Sequence, residues 1–326
     1  MIIKRRDKGG DCMFITINGQ LGSGKSTVCS LLKNKYGFDV FSSGRIQRQI
    51  ARKMNASTLD LNKISENDYS IDRYIDKVVV EFAENNIGES VVFDSRLAWH
   101  FVPNSFKVRL TINPVTAAER IVPNRHTPEE SYNSLEDAIC RLSERQKSES
   151  LRYKSIYNVD IDDFKNYDLI MNTSQLSPEE VGDTIYEAYC HFCKKTIEKH
   201  FMNKPKTNAF INTAVAASGI YTAIDKLQNG YLTSVDEIIK NEIATFQNRN
   251  NESPQKRLAK KELLVIDSFE TCNGKEATQK LLYGMITERL QRGKSTILIS
   301  KIGFKKLKPI SSELVSLVND SFVFLP

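Results

Sequence analysis

The chain has 326 residues, of which 40% are hydrophobic and 26% are charged. This length favours two domains, and this composition is typical of a water-soluble globular protein. No apolar run is long enough to cross a bilayer, so we expect no membrane association. The formal net charge of +6 permits phosphate-rich ligands, but by itself it does not support direct binding of nucleic acid.

The cysteines and the first residues indicate a cytoplasmic protein. Six cysteines are scattered along the chain without the spacing of a secreted disulfide framework. The basic start "MIIKRRDKGGDC" is followed by no apolar segment, so we interpret it as a tail and not as a signal peptide. Cys190 and Cys193 form one CxxC pair near His191 and His200, where a zinc or redox site competes with plain thiols on a helix. The helical pattern favours the plain thiols.

Apolar runs and helical spacing predict the elements of the first part in chain order. Strands are predicted over residues 14–18, 38–41, 91–94, 106–112 and 168–174. Helices are predicted over residues 24–37, from near Ser43, over 70–86, from Pro114, over 135–157 and from Ser177 with Pro178. Their alternation predicts an α/β fold, with a parallel sheet and helices on both faces.

A break in the pattern near residues 201–208 predicts a boundary, with domains over 1–200 and 201–326. The second and smaller α/β domain begins without clear periodicity, and residues 246–262 read as an exposed loop. Regular elements then return, with strands over 263–269, 295–301 and 321–325 and an amphipathic helix over 275–293.

The stretch "NGQLGSGKST" between the first strand and helix fits the phosphate-loop pattern G-x-x-x-x-G-K-[ST]. Its glycines let backbone N–H groups surround an anion at a helix N-terminus. Lys25 would reach the β- and γ-phosphates, and Ser26 would bind Mg²⁺. The predicted nucleotide-binding residues are Gly19, Gly22, Ser23, Gly24, Lys25, Ser26 and Thr27.

Arginines downstream of this loop indicate what the phosphate is held for. Arg48 and Arg96 follow predicted strands, and Arg141, Arg145 and Arg152 share one face of a long helix. A kinase needs such cations on the acceptor and on the phosphoryl group in flight. Taken alone, the helical cluster is better interpreted as a solvated face with ion pairs to Glu144 and Glu149.

Together these segments resemble the cytidylate kinase-like branch of the nucleoside monophosphate kinases over about residues 13–195. The resemblance is carried by "INGQLGSGKST", "FSSGRIQRQIA", "VVFDSRLAW" and the stretch from "ERQKSESLRYKSIY" through "SPEEV". It implies that Ser43, Arg48, Asp94 and Arg96 bind the acceptor nucleotide. It also implies that Arg145 and Arg152, with Glu149 between them, form a lid that closes on the phosphates.

Two positions depart from the family pattern where the acceptor base would be recognised. Ser95 stands in place of a common glycine, and Arg45 in place of a common acid. Trp99 lies close to the acceptor segment, as a pocket residue or as part of the core. Asp94 has a second interpretation as a strand-end cap or a residue near Mg²⁺.

The last segment resembles a degenerate AAA+ ATPase domain of the helicase-loader and initiator branch. "LLVI" before Asp267 is similar to a Walker B strand, and Ser300 ends the next strand where a polar sensor residue would stand. Ser268 replaces the usual second acid, and "NTAVAASGIYTAI" contains Gly219 without the phosphate-loop lysine. An unrelated α/β appendage is the competing interpretation.

These observations lead to two functional hypotheses. The first is an ATP- and Mg²⁺-dependent nucleoside monophosphate kinase acting on CMP or dCMP, with Lys25, Arg145 and Arg152 as catalytic residues. The second is a non-metabolic ATP-binding switch or adaptor in a DNA-linked assembly, with a protein partner on the C-terminal domain. The acceptor arginines favour the kinase, and the degenerate second domain favours the switch.

Overall fold

The computed structural model describes residues 14–56, 61, 64–65, 68–124, 132, 134–203, 207–213, 230–247 and 253–325. Its chain contacts divide these residues into two compact units. The first contains residues 14–85 and 91–188, and the second contains residues 86–90 and 189–325. The division falls inside a helix, whereas the sequence placed a boundary at residue 200. No helix in the described part of the chain combines the length and apolarity needed to cross a membrane.

The first unit alternates strands and helices as the sequence predicted. Its elements are β1 (Phe14–Gly19), α1 (Lys25–Tyr36), β2 (Asp39–Ser42), α2 (Ser43–Lys53), α3 (Ser70–Asn85), β3 (Val91–Asp94), α4 (Ala98–Phe101), β4 (Phe106–Thr111), α5 (Pro114–Ile121), α6 (Leu135–Tyr157), β5 (Leu169–Asn172) and the start of α7 (Pro178–Asn203). Every predicted strand and helix of this part is present, with ends that shift by one or two residues.

The five strands of the first unit form one parallel sheet in the order β2-β3-β1-β4-β5. The connection from β1 to β2 runs in the opposite direction from the later connections. Because parallel crossovers are right-handed, these opposite directions place helices on both faces of the sheet. Loops that follow the strands therefore meet at the carboxyl edge, where open α/β sheets bind ligands.

Local sequence signals explain where several helices begin and end. α1 ends at Gly37, whose φ of 77° is the left-handed conformation that glycine favours. The Asn113 side chain accepts from Val115 N at the start of α5, and Ser134 Oγ accepts from Asp137 N at the start of α6. α2 begins at Ser43, as the sequence predicted, although no side-chain hydrogen bond caps it.

The second unit is also α/β, with one parallel sheet in the order β10-β6-β9-β8-β7. Its elements are β6 (Ala209–Asn212), β7 (Gly230–Ser234), α8 (Val235–Gln247), α9 (Pro254–Ala259), β8 (Leu263–Asp267), α10 (Glu276–Gln291), β9 (Ser295–Ser300), α11 (Ser312–Ser321) and β10 (Val323–Leu325). The predicted strands β8, β9 and β10 and helix α10 are confirmed.

One prediction for this unit is wrong in part. Residues 254–259 form α9 and not an exposed loop, because Pro254, Leu258 and Ala259 are buried and Pro254 suits a first helical turn. Arg289 of α10 is fully buried and donates to the carbonyl of Leu258 at 2.6 Å. In "NTAVAASGIYTAI" only Asn212 and Thr213 are described, so its interpretation as a degenerate phosphate loop lies outside the described residues.

Candidate active site

The loop between β1 and α1 has the backbone that a phosphate cradle requires. Gly22 and Gly24 have φ values of 80° and 84°, which side chains rarely adopt. A Cβ on Gly22 would lie 2.8 Å from Ala117 Cα, and one on Gly19 would lie 2.8 Å from Leu110 O. Ser23 is buried and donates to Gln20 O at 2.7 Å. The backbone conformation of the loop therefore requires glycine at these positions. The loop leads into the N-terminus of α1, where backbone N–H groups attract anions.

The residues that open α1 lie at the mouth of this loop. Lys25 Nζ donates to Gly19 O at 2.7 Å and to Gln20 O at 3.3 Å. Burial, and next the positive charge of Arg96, lower the pKa of Lys25 to about 7. A triphosphate next to Lys25 would stabilise its charged form, because a neighbouring negative charge raises the pKa of an ammonium group. Ser26 and Thr27 follow and are exposed.

Ser26 Oγ donates to Asp94 Oδ2 at 2.9 Å. Asp94 ends β3 and stands opposite Ser42 in the sheet register, and Ser42 Oγ donates to the same Oδ2 at 3.3 Å. Ser43 Oγ donates to Asp94 O at 3.3 Å. This group offers only oxygen atoms, beside the phosphate loop, which fits the ligand preference of Mg²⁺. No cluster of three or more His, Cys, Asp or Glu suited to a metal occurs among the described residues.

Lys25 and Ser26 of the phosphate loop, the predicted acceptor residues and the two lid arginines meet in one cleft that opens to solvent. It is polar, and residues from the phosphate loop, α2, α3, the end of β3 and α6 line it. Its lining residues are Leu21, Lys25, Ser26, Ser42, Ser43, Gly44, Gln47, Arg48, Asp72, Ile75, Asp76, Asp94, Ser95, Arg96, Leu97, Arg145, Glu149, Arg152 and Tyr153. The sequence analysis named all five Lys and Arg residues of this lining, from segments far apart in the chain.

Three of the four cleft arginines pair with carboxylates. Glu149, with a side chain only 3% exposed, lies between two of them: it pairs with Arg96 and accepts from Arg145 Nε at 3.2 Å. Burial, and next the charge of Arg145, lower the pKa of Arg96 to about 10. Arg152 Nε lies 2.9 Å from Asp72 Oδ2. Arg48 differs, since it is exposed and forms no ion pair with any described residue.

Sequence reasoning missed Asp72 and Asp76, which α3 presents to α6. Asp76 accepts a hydrogen bond from the hydroxyl of Tyr157. Burial raises the pKa of Asp76 to about 7, although the Tyr157 hydrogen bond acts against this rise. The spacing of the two residues could have identified them. Asp72 and Asp76 are four residues apart and lie on the same side of the helix as Ile75, which is buried.

A second missed residue is Arg109 of β4, which is buried beneath the phosphate loop. Its Nη1 donates to Asn18 Oδ1 at 2.9 Å, and its Nη2 pairs with Asp162. Asp162 also accepts from Ser150 Oγ of α6 at 3.1 Å. Asn18 in turn donates to the hydroxyl of Tyr167. This network connects the strand that carries the phosphate loop with the helix that carries Glu149 and Arg152.

The remaining predicted residues divide between the cleft and other roles. Arg141 does not line the cleft and pairs with Asp137 at 2.7 Å, a different acid from the Glu144 and Glu149 that the sequence suggested. Trp99 is 5% exposed, donates to Arg96 O at 3.0 Å and belongs to the core. Arg45 is exposed and does not line the cleft, whereas Ser95 does. Burial raises the pKa of Cys193, as for a plain buried thiol.

In the second unit, the Walker B-like Asp267 and the candidate sensor residue Ser300 end neighbouring strands. Asp267 ends β8 and accepts from Ser268 N at 2.6 Å, and Ser268 has a φ of 56°. Ser300 ends β9, is fully buried and donates to Ile302 O at 2.8 Å. Both side chains thus have a local structural use, and the likeness to AAA+ domains remains a prediction.

Comparisons with known proteins agree with the geometry of the cleft. The cytidylate kinase-like family matches residues 14–175. The cytidylate kinase of Natronomonas pharaonis is 39% identical over 178 residues, which cover 54% of this chain and 88% of that protein. The family match spans the phosphate loop, the acceptor segments and α6.

Solved structures give weaker likenesses that add nothing to this result. Shikimate kinase from Bacteroides thetaiotaomicron has a TM-score of 0.39 at 16% identity, covering 53% of this chain and 96% of that chain. AMPPCP-bound DnaA from Aquifex aeolicus has a TM-score of 0.34 at 18% identity, covering 40% of this chain and 44% of that chain. The family rests on the sequence matches and on the cleft: the chain belongs to the cytidylate kinase-like family.

Proposed function

We propose that the first unit transfers the γ-phosphoryl group of ATP to CMP or dCMP. The observation that carries this proposal is the meeting of the phosphate loop and four arginines in one cleft. A protein that only bound ATP would need the loop but not a second set of phosphate-binding cations. Membership in the cytidylate kinase-like family supports the same reaction.

On the donor side, ATP is the substrate that the phosphate loop holds. The backbone of Gly19, Gly22, Ser23 and Gly24 would bind its phosphates, with Lys25 on the β- and γ-phosphates and Thr27 close by on α1. The oxygens of Ser26 and Asp94 are 2.9 Å apart and fit Mg²⁺, with Ser26 as its direct ligand. Mg²⁺ held there would neutralise part of the charge of the phosphates.

On the acceptor side, the residues that would bind the nucleoside monophosphate are Ser43, Arg48, Asp94 and Arg96. Arg48 is exposed and carries no carboxylate partner among the described residues, so its guanidinium is available for bidentate phosphate binding. Arg96 lies deeper and already pairs with Glu149. An acceptor phosphate must therefore compete with this carboxylate for Arg96.

Arg145 and Arg152 of α6 would stabilise the charge that develops on the phosphoryl group. Phosphoryl transfer depends on positioning and on fixed cations, because the protein supplies little covalent chemistry. Both arginines are largely buried and are oriented by carboxylates, Glu149 and Asp72. Their orientation is thus set before the substrates bind, and closure of α6 over the cleft would exclude water.

The direct test is ADP formation by purified protein with CMP, dCMP, UMP and AMP as acceptors. We expect transfer with CMP or dCMP, and at least a roughly 10³-fold loss of kcat/KM in Arg145→Ala. Arg141→Ala is the matched control, because Arg141 lies on the same helix but pairs with Asp137. Lys25→Ala should abolish transfer and leave the fold intact. Equal losses in the two arginine variants would contradict the assignment.

A thermal-shift panel separates the kinase from the ATP-binding switch. A true acceptor raises the unfolding temperature because it binds only the folded state. Stabilisation by ATP together with stabilisation by CMP or dCMP supports the kinase. Stabilisation by ATP but by no monophosphate, combined with no ADP formation above background, would exclude the kinase.

A further inference from the structure

The positive charge of the chain is concentrated in its second part. Residues 189–326 contain 21 Lys and Arg against 13 Asp and Glu, whereas residues 1–188 contain 25 against 27. The first part, which carries the nucleotide cleft, is therefore slightly acidic. The excess of basic residues in the second part has no use in the proposed transfer reaction.

Part of this excess lies in one loop at the carboxyl edge of the second sheet. The segment "KIGFKKLK" follows β9 directly, and Lys301, Lys305, Lys306 and Lys308 are all exposed. Lys275 is a fifth exposed lysine beside them, because Gly274 N donates to Pro309 O at 2.9 Å. We name these five residues the lysine surface.

The loop that carries these lysines is fixed to the second unit. Phe304 and Leu307 are 5% and 1% exposed and pack in the core, so the ammonium groups alternate with buried anchors. Ile302 N donates to Ser300 Oγ at 3.2 Å. The lysines are therefore displayed on an ordered scaffold, which lowers the entropy lost when a partner binds them.

Glu270 and Glu89 each accept a hydrogen bond from a backbone N–H group of this loop. Glu270 Oε2 accepts from Lys301 N at 3.0 Å, and Glu89 Oε1 accepts from Lys305 N at 2.7 Å. Glu89 belongs to the second unit and is 3% exposed. The side chains of Lys301, Lys305 and Lys308 form no ion pair with any residue that the structure describes.

We propose that the lysine surface binds the phosphodiester backbone of nucleic acid. A protein partner fits less well, because protein interfaces are depleted in lysine and need an apolar centre, and here the apolar side chains of the loop are buried in its own core. A membrane surface would lack apolar residues to insert for the same reason. Lysine point charges without base-reading groups favour contacts that do not depend on sequence.

The test is fluorescence anisotropy of the full chain with a labelled dT30 strand and with a labelled 30-base-pair duplex. Five phosphate contacts on a single strand give a slope of about −3.5 in log affinity against log salt. Affinity for dT30 should therefore fall roughly 100-fold between 50 and 200 mM salt. Replacing the five lysines of the surface by Gln should weaken binding at least tenfold at low salt and flatten this slope.

A charge-matched control separates the surface from the net charge. It replaces by Gln five exposed lysines elsewhere in the second unit, namely Lys195, Lys199, Lys240, Lys256 and Lys280. This control and a Lys→Arg variant of the lysine surface should keep binding. Equal loss in the control, no binding by the wild type at low salt, or tighter binding to phosphatidylserine vesicles or poly-Glu would overturn the proposal. The assay needs no phosphoryl transfer, so its outcome is independent of the proposed kinase activity.

Discussion

Glu149 is the counter-ion of two buried arginines, and its replacement tests the charge balance of the cleft. In Glu149→Gln the side chain keeps its size and one acceptor oxygen, but Arg96 and Arg145 lose their shared negative charge. Removing one partner of a buried ion pair costs about 3–5 kcal/mol, because the other charge stays buried without compensation. For a unit of this size, that cost corresponds to a fall of roughly 6–20 °C in unfolding temperature.

The chain offers a specific probe for this measurement. Trp99 is its single tryptophan, and it is buried in the first unit, so its fluorescence follows the unfolding of that unit. Glu144→Gln is the matched control, since Glu144 is exposed on the same helix. Its unfolding temperature should stay close to that of the wild type.

Two outcomes would refute this reasoning. A Glu149→Gln protein that unfolds at the temperature of the wild type would show that Glu149 does not compensate the two guanidiniums. An equal fall in Glu144→Gln would show that the effect is not specific to the cleft.

If the arginines bind phosphate, excess CMP should stabilise Glu149→Gln more than the wild type, because the phosphate dianion replaces the missing carboxylate.

Three other predictions concern stability and the phosphate loop. The pKa of Asp76 is raised to about 7, so between about pH 4 and pH 7 the folded state keeps a proton that the unfolded state has lost. The free energy of unfolding therefore falls as the pH rises through this range. Asp76→Asn, which keeps an acceptor for Tyr157, should remove this slope of up to roughly 1.4 kcal/mol per pH unit from urea unfolding curves. Gly22→Ala should abolish the thermal shift with ATP, because its Cβ would meet Ala117 at 2.8 Å in a backbone with positive φ. Arg289→Met should destabilise the second unit by about 3 kcal/mol, since two buried carbonyls and one partly buried carbonyl lose a donor. Circular dichroism should show this loss while tryptophan fluorescence stays unchanged.

The sequence predicted the elements of the first unit well because their signals are local. The phosphate loop, the strand before it and the helix after it are specified within a few residues, as is the end of α1 at Gly37. The acceptor segments were predictable for another reason. Parallel strands bring their carboxyl ends to one edge, so Ser42 and Asp94 meet in register although 52 residues separate them.

The pairing of the cleft charges was not predictable, because it depends on contacts between helices. An acid on an amphipathic helix normally faces solvent, and only the packing of α3 against α6 makes Asp72 a partner of Arg152. Arg109 was missed for a similar reason, since an arginine inside an apolar strand has no local partner in the sequence. Helix α9 was not predicted because only three of its residues are buried, and the charged residues around them hide the helical pattern.

The difference between Arg48 and the other cleft arginines implies a division of roles that kinetics can test. Arg96, Arg145 and Arg152 already pair with carboxylates, whereas Arg48 pairs with none in the described part of the chain. An acceptor phosphate therefore meets Arg48 without having to displace a carboxylate, and this contact exists in both the ground state and the transition state. Removing such uniform binding raises KM and leaves kcat nearly unchanged, whereas removing a transition-state contact lowers kcat. We expect Arg48→Ala to raise the KM for CMP more than tenfold and Arg145→Ala to act mainly on kcat. If Arg48→Ala lowers kcat as much as Arg145→Ala does, the two arginines act together in the transition state and this division is wrong.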